Sequence, residues 1–367
     1  MSGGSRTDGK RFVDVTGQEP PGEPDYWDPV VFSGEEIESE ARRLASLPAP
    51  ADGRRQSLFV HPRSAPDSPS LAPGIRVTLA VLRPGERTRP IRHNSTVVSF
   101  CIDGGGHAVV DGQRIDFARY DAWNVPSHRP YWIENDGDDL AAMLVYSNAP
   151  VLEKLNVHLV EDNPAEEPVV APEPEAGDES DRAASPFGTF QLNATGAHLM
   201  PYEVLINPPA VESRPLHWAW SDVKDHLDRL DALGSDYVGR RLYLLYNPAT
   251  GRTNGTTPSF FATITIRPPG IVDRPHRHVS AAINYFFHGR GWSRIAGRRY
   301  EWKAGDLMLT APGWAIHHHA SHDGDRVYEL TVQDQPFHIG NESLLWQEDL
   351  RRPPRVLGSE AGFATNR

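Results

Sequence analysis

Short runs in which every second residue is hydrophobic recur along most of this chain. Examples are "IRVTLAVL", "HAVV", "FATITI" and "LMLTA", and many of the 33 prolines and 31 glycines lie between such runs. A period of two is typical of β-strands, and short strands at close spacing favour a sandwich or barrel of antiparallel strands. The predicted fold class is therefore all-β with few helices.

Two segments show the period of an amphipathic helix instead. Residues 33–47 begin with Ser33 and Glu36 at the spacing of a capping box and carry apolar residues on one face. The segment from Ser221 to Leu233 has a similar apolar face and is followed by a glycine. We predict one helix in each segment.

The chain also resembles itself when it is shifted by 185 residues. Glycines at fixed offsets mark tight turns, so two copies that share them are expected to share a fold. We therefore predict a tandem duplication of an all-β unit of about 100 residues. The matches are Gly85 on Gly270, Pro90 on Pro275, Arg92 on Arg277, His93 on His278, Gly104 on Gly289, Gly106 on Gly291, Gly112 on Gly297 and Asp121 on Asp306.

Composition divides the chain further. The stretch at 161–187 is acidic, rich in proline and nearly free of large apolar side chains, so it cannot offset its own ordering entropy and is predicted to be a linker. We predict an N-terminal arm with a helix at 1–55, a first barrel at 56–160, a helical preface with a second barrel at 188–350, and a tail at 351–367.

Most of the formal net charge of −12 belongs to that linker. The rest of the chain lacks the clustered Lys and Arg of a nucleic-acid-binding surface. No stretch approaches the roughly 18 apolar residues of a membrane span, and the N-terminus lacks the apolar region of a signal peptide. We expect a cytoplasmic protein that binds neither nucleic acid nor membrane. With Cys101 as the single cysteine, any metal must be held mainly by His, Asp or Glu.

Histidines occur in a pattern that suits a metal site. His276 and His278 share one face of a predicted strand, and His317 and His319 share one face of a later strand. A pair of alternating histidines is more often a packed or solvated pair than a pair of ligands. Here the two pairs fall at corresponding ends of the repeated unit, so we predict that His276, His278 and His317 bind one divalent metal.

Other residues are candidates for the surrounding cavity. Asn284 and Phe286 follow the parity of the ligand face, and Trp314 precedes the second histidine run. We predict that all three contact substrate, with a satisfied core amide or plain wall packing as the simpler alternatives. His319 is the candidate catalytic residue. Arg267, Arg294 and Arg298 are possible carboxylate anchors, although solvated surface charges explain them more simply, and no anchor is identified.

Two stretches carry a resemblance to a known family. "PGIVDRPHRHVSAAINYFFHGRG" and "GDLMLTAPGWAIHHH" resemble the two signature motifs of the cupin superfamily, with Gly270, His276, His278 and Gly289 at the expected spacing. Ala282 stands where many cupins carry a glutamate ligand. In lacking that glutamate while keeping three histidines, and in its duplicated plan, the chain resembles gentisate 1,2-dioxygenase and the 1-hydroxy-2-naphthoate and salicylate dioxygenases. The resemblance covers roughly residues 25–350.

The resemblance implies two tandem cupin barrels of the double-stranded β-helix (jelly-roll) type with a few flanking helices. It further implies an Fe(II) cofactor and a non-heme iron, extradiol-type dioxygenase. The expected reaction is O2-dependent cleavage of the ring of a hydroxy- or amino-substituted aromatic carboxylic acid. Relatives of this plan associate through their barrels and N-terminal arms, so a homodimer or homotetramer is expected, with the outer sheet of the first barrel buried against another subunit.

The first barrel departs from the family pattern. When it is aligned on the repeat, its three ligand positions are Ile91, His93 and Tyr131. One histidine of three is insufficient for a catalytic divalent ion, so we expect the metal in the second barrel only. Two other classes of function remain open: a metal-dependent cupin isomerase, decarboxylase or lyase acting on a small acid or biosynthetic intermediate without O2, and a non-catalytic ligand-binding bicupin.

Overall fold

The structure, a computed structural model, describes residues 11–22, 24–164, 188–206, 208–234, 240–311 and 313–363. Most of the predicted linker at 161–187 and the end of the predicted tail lie outside these residues. Among the helices in the described ranges, none is long and apolar enough to cross a membrane.

The described chain is built mainly from short β-strands, which confirms the predicted all-β class. In chain order the strands are β1 (Val30–Phe32), β2 (Arg55–Phe59), β3 (Arg76–Leu82), β4 (Ile91–His93), β5 (Val97–Asp103), β6 (Gly105–Val110), β7 (Gln113–Ala118), β8 (Ala122–Val125), β9 (Tyr131–Glu134), β10 (Ala141–Ser147), β11 (Val160–Asp162), β12 (Phe190–Gln191), β13 (His198–Leu199), β14 (His217–Trp218), β15 (Leu242–Leu244), β16 (Phe261–Arg267), β17 (Arg277–His278), β18 (Ala282–His288), β19 (Arg290–Ile295), β20 (Arg298–Lys303), β21 (Leu307–Ala311), β22 (His317–Ser321), β23 (Val327–Gln333), β24 (Leu345–Gln347) and β25 (Arg355–Val356).

Helices are few and short. They are α1 (Gly34–Ser46), α2 (Ala149–Lys154), α3 (Tyr202–Leu205), α4 (Trp220–Asp231) and α5 (Gln335–Gly340), with a 3-10 helix at Pro248–Thr253. The two helices predicted from periodicity are present as α1 and α4. In α1 the Ser33 side chain accepts from the N–H of Glu36, and the Glu36 carboxylate accepts from the N–H of Ser33. The predicted capping box is therefore confirmed.

The strands form two barrels with the same plan. The first contains the sheet β14-β8-β5-β10-β3-β2 and the sheet β11-β4-β9-β6-β7. The second contains the sheet β1-β21-β18-β23-β16-β15 together with the smaller sheets β20-β19-β22 and β17-β24-β25. Strand β11 extends to Asp162, so the pairing of the first barrel continues into the start of the predicted linker.

Strand positions repeat along the chain in the same way as the glycines. Strand β3 begins at Arg76 and β16 at Phe261, which are 185 residues apart, whereas β9 begins at Tyr131 and β22 at His317, which are 186 apart. The offset between corresponding strands therefore grows from 185 to 186 residues between β3 and β9, because the second repeat has one residue more in that stretch. The sequence repeat is a duplication of the whole strand order.

The two barrels pack against each other through the outer faces of their larger sheets. Phe100 of β5 contacts Tyr285 and Phe287 of β18, with ring centroids 6.0 and 5.5 Å apart, and one apolar cluster holds residues of both barrels. We expected the outer sheet of the first barrel to be buried against another subunit. The outer face of its larger sheet is instead buried within the chain, because the second barrel presents a matching apolar face.

Each barrel also receives a strand from outside its own repeat. Strand β1, from the predicted N-terminal arm, pairs with β21 of the second barrel, placing Val30 opposite Leu309. Strand β14, from the segment between the barrels, pairs with β8 of the first barrel, placing His217 opposite Trp123. Each barrel thus depends on a segment that lies far from its own strands in sequence.

The interiors of the two barrels have diverged. The first is filled with apolar side chains, among them Cys101 and Met143, and Trp123 stacks on Phe117 with ring centroids 4.4 Å apart. In the second barrel the inward positions of β16, β18 and β23 are mostly polar and line a cavity. Among the residues that the structure describes, the cavity beside the histidines of the second barrel has room for a ligand.

Candidate metal centre and its cavity

Three histidines from neighbouring segments meet inside the second barrel. His278 lies in β17, His276 directly precedes that strand, and His317 begins β22. The backbones of His276 and His317 bond reciprocally, with N···O distances of 3.1 and 2.9 Å. One ligand atom from each of the three side chains lies within 4.8 Å of the other two. The structure thus brings together the three residues that the sequence pattern singled out.

Each of these imidazoles is held by its Nδ1 atom. The carbonyl oxygen of Arg274 lies 3.1 Å from Nδ1 of His276, that of Ser280 lies 2.9 Å from Nδ1 of His278, and that of Ala315 lies 2.9 Å from Nδ1 of His317. Since a carbonyl only accepts, these contacts place the proton on Nδ1 in all three rings; in His276 the contact to the Arg274 carbonyl is shorter than the 3.4 Å approach of the Arg240 guanidinium, which cannot donate to a protonated Nδ1. The lone pair of each Nε2 is left available, which is the arrangement that a metal-binding histidine requires.

Burial keeps these rings neutral. His276, His278 and His317 are at most 5% exposed. Loss of solvation lowers the pKa of His276 and His278 well below the usual value of 6.5 and lowers that of His317 to about 4. Neutral imidazole is the form that binds a metal, so the chemistry of this donor set fits a divalent ion.

The corresponding positions of the first barrel do not form such a set. His93 is there, but its Nε2 lies 3.1 Å from the hydroxyl of Tyr131, and Ile91 pairs with Tyr131 as His276 pairs with His317. Within the described ranges, His276, His278 and His317 are the only group of three His, Cys, Asp or Glu side chains placed to hold a metal.

A cavity of about 560 Å³ lies beside the three histidines. This size is ordinary for a small-molecule site. Its walls combine apolar and polar side chains, among them Arg240, Leu242, Leu244, Phe261, Thr263, Thr265, Arg267, Asp273, Ala282, Asn284, His319, Glu329, Thr331, Gln333, Trp346, Leu357 and Phe363. Ala282 lines the cavity where a glutamate would otherwise fill it, so its small side chain leaves space for a ligand.

His319 lines this cavity as a different tautomer from the three histidines beside it. Its Nδ1 lies 2.8 Å from the hydroxyl of Ser293, and that hydroxyl accepts a hydrogen bond from Nε1 of Trp302 at 2.9 Å. Both hydrogen bonds form if the Ser293 hydroxyl, which accepts from Trp302, donates its own proton to Nδ1 of His319. Nε2 of His319 then carries a proton and is a hydrogen-bond donor.

Asn284 also lines the cavity, as its parity predicted. Its Nδ2 donates to the hydroxyl of Thr331 at 2.8 Å, and its Oδ1 accepts from the hydroxyl of Thr310 at 2.6 Å. The amide is therefore held in one orientation by two threonines. One N–H of the amide has no partner in these two bonds.

Phe286 and Trp314 do not line the cavity, contrary to the prediction. Phe286 is fully buried and stacks on Trp302 with ring centroids 3.7 Å apart, in an apolar cluster with Ile295, Met308 and Val327. Trp314 lies against the guanidinium of Arg277, 4.5 Å from its ring centre. Parity gives the face on which a side chain lies but not its depth, and Phe286 lies below the floor of the cavity.

Arg240 is a cavity residue that the sequence pattern did not reveal. Its guanidinium lies 3.4 Å from Nδ1 of His276 and 3.3 Å from the carboxylate of Glu348. Nε1 of Trp346 donates to the same carboxylate at 2.9 Å, and the Trp346 ring stacks on His278 with centroids 4.5 Å apart. A guanidinium that lies 3.4 Å from His276 and lines the same cavity is placed to meet a carboxylate there.

Arg267 is buried rather than solvated. Its guanidinium pairs with Glu329 at 3.0 Å and with Asp273 at 3.1 Å, inside the cavity wall. Two carboxylates already compensate this one cation, so Arg267 is a brace between β16 and β23 rather than an anchor for an anionic ligand.

Comparisons with known proteins agree with this architecture. Residues 78–147, in the first barrel, match the model of the cupin domain. Residues 261–358, in the second barrel, match the model of the AraC-like ligand binding domain. The two models together cover both barrels.

Characterised relatives and solved structures point the same way. The chain is 30% identical over 142 residues to a 5-nitrosalicylic acid 1,2-dioxygenase of Bradyrhizobium sp, covering 37% of this chain and 68% of the relative. It is 26% identical over 328 residues to a gentisate 1,2-dioxygenase of Haloferax sp, covering 84% and 83%. The crystal structure of a salicylate 1,2-dioxygenase from Pseudaminobacter salicylatoxidans shares the fold, with a TM-score of 0.73 at 17% identity over 93% of this chain and 94% of that one.

Proposed function

The chain belongs to the bicupin family of ring-cleaving dioxygenases, and we propose that it is an Fe(II)-dependent enzyme of this family. The proposed reaction is extradiol-type, O2-dependent cleavage of the ring of an aromatic carboxylic acid that carries a hydroxyl or amino group. The observation that carries the proposal is the set of three neutral histidines at a cavity of about 560 Å³, with Arg240 beside it.

The donor set fits Fe(II) and leaves it reactive. His276, His278 and His317 supply three neutral nitrogen ligands, and no carboxylate belongs to this group. Fe(II) held there would keep open coordination positions and would supply a redox couple that Zn(II) lacks, which the reaction of an aromatic acid with O2 requires. Ala282 supports this use of the site, because it removes the ligand that would occupy a further position.

The protein supplies binding and orientation around that centre. The Arg240 guanidinium pairs with the carboxylate of the acid and turns its neighbouring hydroxyl or amino group towards the three histidines. Leu242, Leu244 and Phe261 form an apolar wall for the ring. Ring orientation is thereby set from one charged end and one apolar face.

His319 is proposed as the catalytic residue. The chain from Trp302 through Ser293 fixes its Nδ1 as an acceptor, so its Nε2–H is a donor to an oxygen of the substrate or to O2. Asn284, fixed by two threonines, contributes an amide N–H to the same cavity. Both groups are neutral hydrogen-bond donors that orient the oxygen atoms of the substrate or of O2.

The reaction is tested by comparing Fe(II)-loaded with Zn(II)-loaded protein on a panel of hydroxy- and aminobenzoates in an oxygen electrode. We expect the iron form to consume O2 one-to-one with loss of the aromatic ultraviolet band, and the zinc form to be inactive. If the zinc form turned over as fast, or if no acid raised O2 uptake above the rate without substrate, the isomerase or lyase alternative would replace ring cleavage.

A further inference from the structure

A second cavity of about 690 Å³ adjoins the metal cavity and shares two of its side chains, Trp346 and Phe363. It is formed by the segment that follows β24, together with Arg274 from the loop that leads into the ligand histidines. Anything that passed between the two cavities would pass these two rings.

The second cavity is rich in arginine. Arg274, Arg351, Arg352 and Arg355 line it, against the carboxylates of Glu348 and Asp349 only. Four guanidiniums against two carboxylates leave an excess of two positive charges, in a chain whose formal net charge is −12. The cavity is therefore a local positive region on an acidic molecule, which attracts small anions.

The carboxylates of this cavity are already engaged. Arg351 holds Asp349 through two contacts of 2.9 Å, and this hydrogen bonding lowers the pKa of Asp349 to about 2. Glu348 is turned towards Arg240 and Trp346. Arg274 and Arg355 have no carboxylate partner among the described residues, and their charge is available to an incoming anion.

The wall between the two cavities is formed by the rings of Trp346 and Phe363. Trp346 is 8% exposed and is held by the stacking on His278 and by its bond to Glu348. Phe363 touches Trp346 at a centroid distance of 5.9 Å. It is carried on an extended segment that Arg355 holds through the carbonyl oxygens of Ala361 and Gly362, at 3.2 and 3.0 Å.

We propose that this second cavity is an anion-binding vestibule, which captures the carboxylate of an aromatic acid and passes the acid beyond Phe363 to Arg240. The proposal rests on the proposed function in one respect, namely that the ligand is an aromatic carboxylate. The vestibule and the metal cavity are linked by Glu348, which faces the first and bonds Arg240 of the second. An incoming carboxylate would meet the guanidiniums of the vestibule on one side of the Trp346 and Phe363 rings and the guanidinium of Arg240 on the other side.

The test is the rate at which salicylate and gentisate bind, measured by anaerobic stopped flow on the metal-loaded full chain. Attraction between an anion and exposed arginines weakens as the Debye length shrinks to about 10 Å at 0.1 M salt. We expect the wild-type association rate constant to fall with salt. The double variant Arg351→Gln/Arg352→Gln should bind on the order of 3–10-fold more slowly at low salt, equal the wild type at high salt, and keep its dissociation rate constant.

The matched control is Arg114→Gln/Arg119→Gln, which removes the same charge from two half-exposed arginines of the first barrel. Salicylamide is the matched neutral ligand, since it lacks the carboxylate. Equal association rates in the two double variants would overturn the vestibule even if the iron enzyme consumed O2 normally. An equal loss for salicylamide would also overturn it, because the cause would be distortion rather than charge.

Phe363→Ala tests the path itself. If the acid passes between the two cavities beside Phe363, both the association and the dissociation rate constants of this variant should rise while the dissociation constant stays nearly unchanged. Unaltered rate constants would remove Phe363 from the path. If no aromatic acid bound at all while metal content was normal, the proposed function would fail, and the vestibule would fail with it.

Discussion

The four histidines that line the cavity of the second barrel differ in which ring nitrogen the protein holds as a donor. Backbone carbonyls accept hydrogen bonds from Nδ1–H of His276, His278 and His317, whereas the Ser293 hydroxyl donates a hydrogen bond to Nδ1 of His319. The first three rings therefore present a lone pair and the fourth presents an N–H. A strand with alternating histidines can thus carry both a metal ligand and a hydrogen-bond donor on one face.

Metal content should follow from this difference. We expect His276→Ala and His317→Ala each to lose bound metal, because two remaining neutral ligands hold a divalent ion weakly. His319→Ala should retain it, since that ring donates rather than accepts. The measurement is elemental analysis after dialysis, with His93→Ala as the control from the first barrel. Full occupancy in either ligand variant would refute the assignment.

Arg240 should contribute to substrate binding through the carboxylate of the aromatic acid. Replacing it by methionine removes a charge-assisted bond to the substrate carboxylate, which is worth about 1.5–3 kcal/mol and so corresponds to a roughly 10- to 100-fold rise in KM. Arg290→Met is the control, because that arginine is exposed and pairs with Asp325 on another face. An unchanged KM for the aromatic acid in Arg240→Met would exclude it as the anchor.

The grouping of His276, His278 and His317 was predictable and the position of Arg240 was not, for a physical reason. Alternation along one strand places residues on one face, and the repeat supplied the second strand, so local patterns were sufficient. Arg240 lies before β15, and only tertiary folding brings it within 3.4 Å of His276. Phe286 shows the opposite limit, since its parity was correct but its depth depends on where the barrel closes.

Among the elements, helix α1 is attached to the first barrel by its apolar face and by hydrogen bonds from one buried arginine, which also forms an ion pair. Arg55 of β2 donates to the carbonyl oxygens of Leu47 and Pro48, just beyond the end of α1, and pairs with Glu86 at 2.7 Å. The Arg55 side chain is 1% exposed. Hydrogen bonding by Arg55 is the largest cause that lowers the pKa of Glu86, from 4.5 to about 2.

Stability should depend on pH through this pair. A carboxyl with a depressed folded-state pKa stabilises the fold above its unfolded pKa of about 4.5, and the effect is lost as pH falls towards 2. We expect Glu86→Gln to lower the free energy of unfolding by about 2 kcal/mol at pH 7, with the difference from wild type shrinking below pH 4.5. Urea unfolding measures this. Glu38→Gln, which breaks only an exposed pair with Arg42, should change stability by about 0.5 kcal/mol or less.

Elements with a local signal were predicted better than those that depend on distant partners. Helix α1 has its capping box and apolar face in the sequence, and the repeated glycines mark the same turns in both barrels. Strands β1 and β14 are only three and two residues long, and each pairs with a strand of the other repeat. Nothing within such short segments specifies a partner more than ninety residues away.

At the scale of the whole molecule, one duplicated sequence gives two barrels with different roles. The outer faces of their larger sheets form a shared apolar core, so neither barrel leaves that face to solvent. Inside, the first barrel has filled its interior with apolar groups while the second has kept its polar cavity and three histidines. The first barrel thus supports the second from within the chain.

Exposed apolar side chains indicate where a second copy of the chain would bind. Residues 188–206 carry an unusual number of exposed apolar side chains, including Leu192, Met200 and Leu205, which are 56–63% exposed. Exposed apolar side chains are candidates for contacts between proteins, and burying their surface yields about 25 cal/mol per Å². This segment, rather than the larger sheet of the first barrel, is the expected contact between subunits.

Light scattering at micromolar concentration should therefore return a mass of two or four times 40.7 kDa. The double variant Met200→Glu/Leu205→Glu should shift the mass towards that of the monomer, because four or more buried carboxylates at a symmetric interface repel each other and lose solvation. The control Leu58→Glu adds a charge at another exposed apolar residue, in β2, and should keep the wild-type mass. A wild-type mass of 40.7 kDa would contradict assembly, and an unchanged mass in the double variant would move the contact away from residues 188–206.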